Sequence, residues 1–555
     1  MELRIIPVGG LGEIGRNMTL FESEKSIISI DAGLQFPTAE MYGIDYVIPD
    51  FNYLKSNRQK FKGLIVTHGH EDHIGAISFL LKEFPYITIY GTKLTLELIK
   101  ARITEKRNLL NQNNLPKMIE IKPDRFYSCE DFEFMPFVVN HSIADAVGIA
   151  IKTSAGFIIY TGDFKIDNTP VDNKIFDYHT LSDLGRKGVL LLMSDSTNSE
   201  RKGFSNSEKE VVENLEYYFI KAKGKIIAAT FASNIHRIQQ IIDVAKKFDR
   251  KVFISGLSLE KNIDIARQLG YINYERNVVY PLEDLKKFPA SKIVCIVTGT
   301  QGEPMSVLTR MAENKHKQIK VEKDDLVLLA SSVIPGNEHL VFKNINKLYE
   351  LGATVVQSES DDIHVSGHAY TEEQKIMIHL TKPKYFAPIH GEYRHLSIHA
   401  LTAQTVGIRA ENIFLLKNGD ILEVENGFIR LIGNIEPENI FVDGKGIGDI
   451  SDIVIEERQK LAEDGTVAVV VTLNKESSNI ASPIELISRG FVLIDNSESL
   501  LEKARELTNQ VVNKWIIDRS NSWDDLKKRI KRELKKYFNE EIARDPFILV
   551  IIIEV

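Results

Sequence analysis

The sequence predicts an α/β protein built of several domains, and three observations carry that reading. Short apolar, β-branched runs recur through the first 163 residues with glycine-rich turns between them. A regular alternation of helix and strand occupies residues 207–334, and histidine-bearing loops return after residue 355. A chain of 555 residues is too long for one hydrophobic core, and about 150 residues per domain suggests three or four domains.

Taken in order, residues 3–8, 18–22 and 26–30 read as strands of a meander, 63–67 as a buried strand and 74–82 as a helix. Residues 131–163 return to strands and end in Tyr160-Thr161-Gly162-Asp163. From there the texture changes to helix 208–222, strand 225–229, helix 236–248, strand 251–255 and helix 259–269, the pattern of a doubly wound βαβ domain. This second domain interrupts the first. Residues 418–450 are rich in glycine and β-formers. A final α+β unit carries strand 466–473, helix 499–515, a basic amphipathic helix and strand 547–553. The expected domains are 1–205 and 361–448 for the two parts of the first, 206–360 for the insert and 449–555 for the C-terminal unit.

Composition narrows the class. Hydrophobic residues make up 43% and charged residues 26%, as in an ordinary globular protein. The net charge of −8 argues against a polycation that coats nucleic acid, although it leaves room for local basic clusters. Three such clusters stand out: Lys100, Arg102, Lys106 and Arg107; Lys246, Lys247, Arg250 and Lys251; and the helix from Lys527 to Lys536, whose basic face reads first as a solvated surface. Cys129 and Cys295 make neither a disulfide framework nor a thiolate metal site. No apolar run approaches the roughly 20 residues of a membrane helix, and the N-terminus lacks the plan of a signal peptide. The expectation is a soluble, cytoplasmic protein with no membrane partner.

Gly10-Leu11-Gly12-Glu13-Ile14-Gly15 matches a dinucleotide-binding fingerprint. That fingerprint works only where a helix starts, so that its amides hold a pyrophosphate. Residues 16–22 instead alternate like a strand, and a glycine-rich hairpin is the expectation.

His68-Gly69-His70-Glu71-Asp72-His73 is the most informative stretch. Three imidazoles and a carboxylate on one loop after a strand are costly to bury without a cation, and they are the donors zinc or manganese accepts. One loop cannot surround two ions, so further ligands are sought at His141, Asp163 and His390, each just after an apolar strand-like run.

These residues carry a resemblance. The series His68, His70, Asp72, His73, His141, Asp163 resembles the ligands of the metallo-β-lactamase fold. Ser194-Asp195-Ser196-Thr197, His364-Val365-Ser366-Gly367-His368 and Pro388-Ile389-His390-Gly391-Glu392 resemble the motifs of its β-CASP nuclease branch. Residues 230–237 and 298–305 are similar to those of bacterial ribonuclease J, and the likeness runs from Leu3 to the C-terminus. It implies an αββα metallo-β-lactamase sandwich interrupted by a β-CASP domain. It also implies two divalent ions per subunit, zinc first with manganese or magnesium as alternatives. One ion would lie among His68, His70, His141 and Asp163, the other among Asp72, His73, His390 and the bridging Asp163. Asp31 would be a support residue, a role it shares evenly with a turn-capping one.

The same resemblance implies a ribonuclease of mRNA decay and rRNA maturation: a 5′-to-3′ exonuclease preferring 5′-monophosphate ends, with endonuclease activity besides. Asp72 and His368 would take part in the chemistry, His368 as proton donor to the leaving 3′ oxygen and Asp195 as its orienting partner. Ser233, Asn234 and Ile235 with His364, Val365, Ser366, Gly367 and His368 would bind single-stranded RNA at its 5′-phosphate. Ser233-Asn234 also reads simply as a helix N-cap. Self-association as a dimer or tetramer follows from the resemblance alone, as does pairing with a paralogous subunit or RNA-decay partners. The rivals are a small ester or thioester metallo-hydrolase, a non-catalytic RNA-binding subunit and a DNA-directed nuclease.

Overall fold

The computed structural model describes residues 3–38, 40–104, 115–303, 305–333, 337–357, 363–444, 446–475, 479–492, 498–518 and 522–555. Lys106, Arg107 and Pro304 lie outside the described residues. The chain forms two compact units, Met1–Phe36 with Tyr46–Ile440, and Pro37–Asp45 with Phe441–Val555.

The larger unit contains two facing sheets. The first has eight strands in the order Phe428–Asn434, Asp420–Glu425, Leu3–Gly9, Met18–Glu22, Ile27–Ile30, Phe61–Ile65, Thr88–Gly91 and Met118–Glu120. The second has six: Tyr385–Ile389, Val189–Asp195, Gly156–Tyr160, Val147–Thr153, Phe132–Val138 and Tyr127–Cys129. Ile5, Phe21, Ile28 and Ile65 of one sheet share a core with Ile149, Ile158, Leu191 and Ala387 of the other. Helices Tyr178–Lys187, Thr371–Thr381 and Tyr393–Thr405 cover the outer face of the second sheet through Leu181, Met377 and Ala403. The result is the αββα sandwich. Strands Leu3–Gly9, Met18–Glu22 and Ile27–Ile30 are the antiparallel meander expected.

Strand directions decide where the site falls. Phe132–Val138 and Gly156–Tyr160 are both antiparallel to Val147–Thr153, while Val189–Asp195 and Tyr385–Ile389 extend the sheet in parallel. The carboxyl ends of four strands therefore share one edge, and the predicted histidine and aspartate positions follow those ends.

The insert is an all-parallel sheet in the order Val279–Tyr280, Lys251–Ser255, Ile293–Val297, Ile226–Ala229, Leu326–Leu329 and Thr354–Gln357. Its strands are apolar on both faces because helices cover both, as a doubly wound sheet requires. In the smaller unit, strands Glu485–Arg489, Thr466–Leu473 and Phe547–Glu554 form a sheet whose inner face packs on helices Glu498–Ile517 and Trp523–Ile542. Among the described residues no helix is long and apolar enough to cross a membrane.

One local expectation changes and another holds. The helix read over residues 74–82 is two pieces, Glu71–Ile74 and Ile77–Glu83. The break falls at Gly75 and Ala76, whose N–H donates to Ala32 O at 2.9 Å instead of continuing the first helix. The Gly10–Gly15 stretch leads straight into strand Met18–Glu22, so no helix starts there to hold a pyrophosphate.

Candidate metal centre

The loop after strand Phe61–Ile65 is fixed from behind. Ala32 N–H donates to His73 O at 2.9 Å, Leu34 N–H to Glu71 O at 3.0 Å and Asn17 N–H to Asp72 O at 3.0 Å. Gly33 is obligatory in this contact, because a Cβ there would stand 1.5 Å from Asp72 O.

The side chains converge as two groups. His68, His70, His141 and Asp163 bring one ligand atom each within 4.8 Å of one another, as do Asp72, His73, Asp163 and His390. Asp163 belongs to both. Its Oδ2 lies 3.6 Å from His68 Nε2, 3.6 Å from His141 Nε2 and 3.3 Å from His73 Nε2. A third group of this kind joins Asp163 and His390 to Asp195 and His368.

Outer hydrogen bonds select which ring nitrogen faces inward. His68 Nδ1 meets Thr67 Oγ1 at 3.0 Å, His73 Nδ1 meets Asp31 Oδ2 at 2.8 Å, and His141 Nδ1 meets Gly367 O at 2.7 Å. His390 Nδ1 meets Thr197 Oγ1 at 2.7 Å. Each of these rings turns Nε2 inward; His70 turns Nδ1 inward, 3.1 Å from His68 Nε2 and 3.0 Å from His141 Nε2. Asp31, fully buried, also accepts from Thr67 N–H at 2.8 Å. It is a buried brace for His73 and the start of the loop rather than a turn cap.

Electrostatics test whether this set suits a cation. Burial lowers His68 well below its ordinary pKa, His70 to about 4 and His141 to about 3, leaving neutral imidazoles with lone pairs turned together. Burial also disfavours charge on Asp72 and Asp163, yet the surrounding imidazoles hold both carboxyls far below the carboxylate range. Those carboxylates in turn lift His73 well above its usual value and His390 to about 10, against burial. The carboxylates thus favour positive charge beside them, which a divalent cation would supply. Among the described residues Asp163 Oδ1 has no hydrogen-bond partner, although His390 Nδ1 stands 3.4 Å away. Crowded neutral nitrogens around an under-satisfied buried carboxylate fit a divalent metal of the zinc type.

Of the remaining predicted residues, Asp195 and His368 stand beside this centre. His368 Nδ1 donates to Asp195 Oδ2 at 2.8 Å, and its ring lies 5.0 Å from that of His141 and 5.4 Å from that of His390. Ser366 Oγ accepts from Asn198 Nδ2 at 2.7 Å, and Val365 is buried. His364 is held down to about 3 by burial and the nearby Arg237 charge. In the insert, Asn234 caps helix Ile235–Lys247, its Oδ1 accepting from Arg237 N–H at 3.0 Å. The N-cap reading of Asn234 therefore holds, and its buried Nδ2 has no partner among the described residues. Ile235 is buried, and its N–H donates to Ser233 O at 2.9 Å, so it has no free donor to offer an anion.

Sequence reasoning missed Asn17, Thr67, Thr197 and Asn198, which orient the site residues. Each is a common loop residue whose role depends on a distant partner. The insert's basic cluster is largely neutralised: Lys246 pairs with Glu275, Lys247 with Glu216 and Lys251 with Asp249, while Arg250 is buried against backbone carbonyls.

Comparison with known proteins agrees with this architecture. Residues 11–135 match the metallo-beta-lactamase superfamily, 223–348 the beta-CASP domain of ribonuclease J, 355–414 a Zn-dependent metallo-hydrolase RNA specificity domain and 453–555 the ribonuclease J C-terminal domain. The chain is 39% identical to ribonuclease J2 of Bacillus subtilis (strain 168) over 553 residues, covering 100% of this chain and 99% of that protein. It is 39% identical to ribonuclease J of Synechocystis, covering 99% of this chain and 86% of that one. It is 37% identical to ribonuclease J 2 of Staphylococcus aureus (strain MRSA252), covering 100% and 98%. A solved protein of unknown function from Enterococcus faecalis V583 shares the fold, with a TM-score of 0.54 and 16% identity over 76% of this chain and 100% of that one. The chain belongs to the ribonuclease J family.

Proposed function

We propose that this protein, a metal-dependent ribonuclease by family, is a two-metal 5′-to-3′ exonuclease that prefers 5′-monophosphate RNA and also cuts internally, acting in mRNA decay and rRNA maturation. The observation that carries the two-metal reading is the position of Asp163 in both ligand groups. His68, His70, His141 and Asp163 would hold one ion, and Asp72, His73, His390 and Asp163 the other, with zinc the ion that best suits five imidazoles and two carboxylates. When bound, such ions supply Lewis acidity toward the phosphodiester and acidify water at neutral pH.

The chain's own groups do the rest. Asp72 and Asp163 neutralise the positive charge of the centre. Asp195 fixes the His368 ring through Nδ1, leaving Nε2 to carry a proton to the departing ribose 3′ oxygen. Cleavage leaves a 5′-phosphate on one side and a 3′-hydroxyl on the other. Asn234 Nδ2, buried and unpartnered, and the Ser366 hydroxyl, whose oxygen already accepts from Asn198, are donors suited to a terminal phosphate.

The domain limits proposed are 1–205 with 361–448, 206–360 and 449–555, and the setting is the cytoplasm. Self-association as a dimer or tetramer is supported by the outer face of the C-terminal sheet, which exposes Ile487, Leu549, Ile551 and Ile553 together. The test uses one RNA labelled at its 3′ end, prepared with a 5′-monophosphate and with a 5′-triphosphate. Metal-dependent shortening of the monophosphate RNA in preference to the other is expected. Equal internal cutting of both would refute the terminal pocket, and 2′,3′-cyclic phosphate ends would refute attack by water.

A further inference from the structure

Glu373 is a fully buried carboxylate, and no lysine or arginine pairs with it among the described residues. Its oxygens instead accept four hydrogen bonds from three separate pieces of chain. Oε1 accepts from Ile166 N–H at 2.8 Å and from Ser205 Oγ at 2.8 Å; Oε2 accepts from Ser205 N–H at 2.7 Å and from Tyr370 N–H at 2.8 Å. Each piece leads to a different part of the site. Ile166 is three residues beyond Asp163, and Tyr370 is two residues beyond His368. Ser205 lies on the segment that enters the inserted sheet.

The three pieces are laced together around the carboxylate. Ala369 N–H donates to Phe164 O at 2.7 Å, Thr371 N–H to Arg201 O at 3.0 Å and Glu372 N–H to Gly203 O at 3.1 Å. An unpaired buried carboxylate is expensive unless every oxygen is satisfied, and here three backbone N–H groups and one hydroxyl donate to it.

We propose that Glu373 is a positioning residue: it holds Asp163, His368 and the entry to the insert in one register, so that the metal centre and the phosphate pocket assemble together. The proposal rests on the ribonuclease reading above, but its metal-binding test does not require turnover.

The experiment compares Glu373→Gln with Thr381→Val in the full chain. Thr381 is buried on the same helix and donates from Oγ1 to Met377 O at 2.8 Å, with no hydrogen bond from its side chain to either site loop among the described residues. The amide of Glu373→Gln places an N–H against a backbone N–H and removes the negative charge, so at least one of the four hydrogen bonds is lost and the rest are weakened. Thermal midpoint, kcat and KM on 5′-monophosphate RNA, and zinc affinity by competition with a chelating dye are measured. Glu373→Gln is expected to lower kcat by about 10- to 100-fold and zinc affinity by about tenfold, in the range of support residues around a metal site. KM is expected to change far less, and Thr381→Val is expected to lower the thermal midpoint while leaving kcat and zinc affinity near wild type.

Wild-type kcat and zinc affinity in Glu373→Gln would overturn the proposal, as would equal losses in Thr381→Val. If Glu373→Gln does not fold, Ser205→Ala, which removes a single donor, decides: a smaller loss in the same two quantities supports the proposal and no loss overturns it. If the wild type does not cleave RNA, the ribonuclease reading fails while the zinc comparison still tests Glu373.

Discussion

His368 and Asp195 are 173 residues apart in the chain, yet Nδ1 of one donates to Oδ2 of the other at 2.8 Å. The bond joins the end of strand Val189–Asp195 to the loop that leaves the insert. Asp195 is fully buried and His368 is partly open, so the carboxylate anchors a ring whose other nitrogen faces the site. In the proposed mechanism, a ring held this way would deliver a proton without first having to be oriented.

His368→Ala is therefore expected to lower kcat by about 10²- to 10⁴-fold, the range for loss of a general acid. Bound metal should be unchanged, because His68, His70, His73, His141 and His390 all remain. Single-turnover cleavage alongside elemental analysis checks both statements.

Gly367→Ala tests the backbone side of the same loop. A Cβ at Gly367 would stand 2.6 Å from His141 Nδ1, and the carbonyl of Gly367 is that nitrogen's partner. The ring must move, and a displacement on the order of 1 Å costs about 10²-fold in rate. Reduced metal content should accompany the loss, unlike in His368→Ala.

Ser366→Ala addresses end selection. Its hydroxyl is free to donate because its oxygen accepts from Asn198 Nδ2. The variant is expected to lose about 1.5–3 kcal/mol of charge-assisted hydrogen bonding to a 5′-monophosphate, and little toward an internal site. The ratio of rates on monophosphate and triphosphate RNA reads this directly.

The insert is tied in by a buried pair that predicts a pH dependence. Burial would raise the carboxyl of Glu208, but the Arg237 charge, helped by Lys165, holds it at about 2. Its ordinary value is 4.5, so the stability it contributes is complete above pH 4.5 and is lost as pH falls toward 2. Glu208→Gln should cost about 3–5 kcal/mol at neutral pH, as broken buried pairs do. The gap in thermal midpoint from wild type should narrow steadily below pH 4.5, which melts in a pH series will show.

Much of this was legible in the sequence because the decisive signals are local. The loop His68–His73 sits directly after its strand, and His141, Asp163 and His390 each follow a strand of the second sheet. Strand ends on one edge then bring them together. The alternation of residues 207–334 marked the parallel insert, and residues 16–22 correctly opposed a dinucleotide site. What escaped depends on long-range hydrogen bonds. Thr197 orients His390 across 193 residues, and Asn17 N–H fixes the backbone of Asp72. Glu373 looks like an ordinary first-turn helix glutamate, and only the fold shows three chain segments donating to it.

The most direct test of the proposed two-metal centre is zinc stoichiometry in Asp163→Ala beside the wild type, with RNA cleavage measured on the same samples. Asp163 belongs to both ligand groups. Two zinc ions per wild-type chain, fewer than one in Asp163→Ala and no cleavage by the variant are the predicted results. Two tightly held ions in Asp163→Ala, or a single ion in a fully active wild type, would contradict the account.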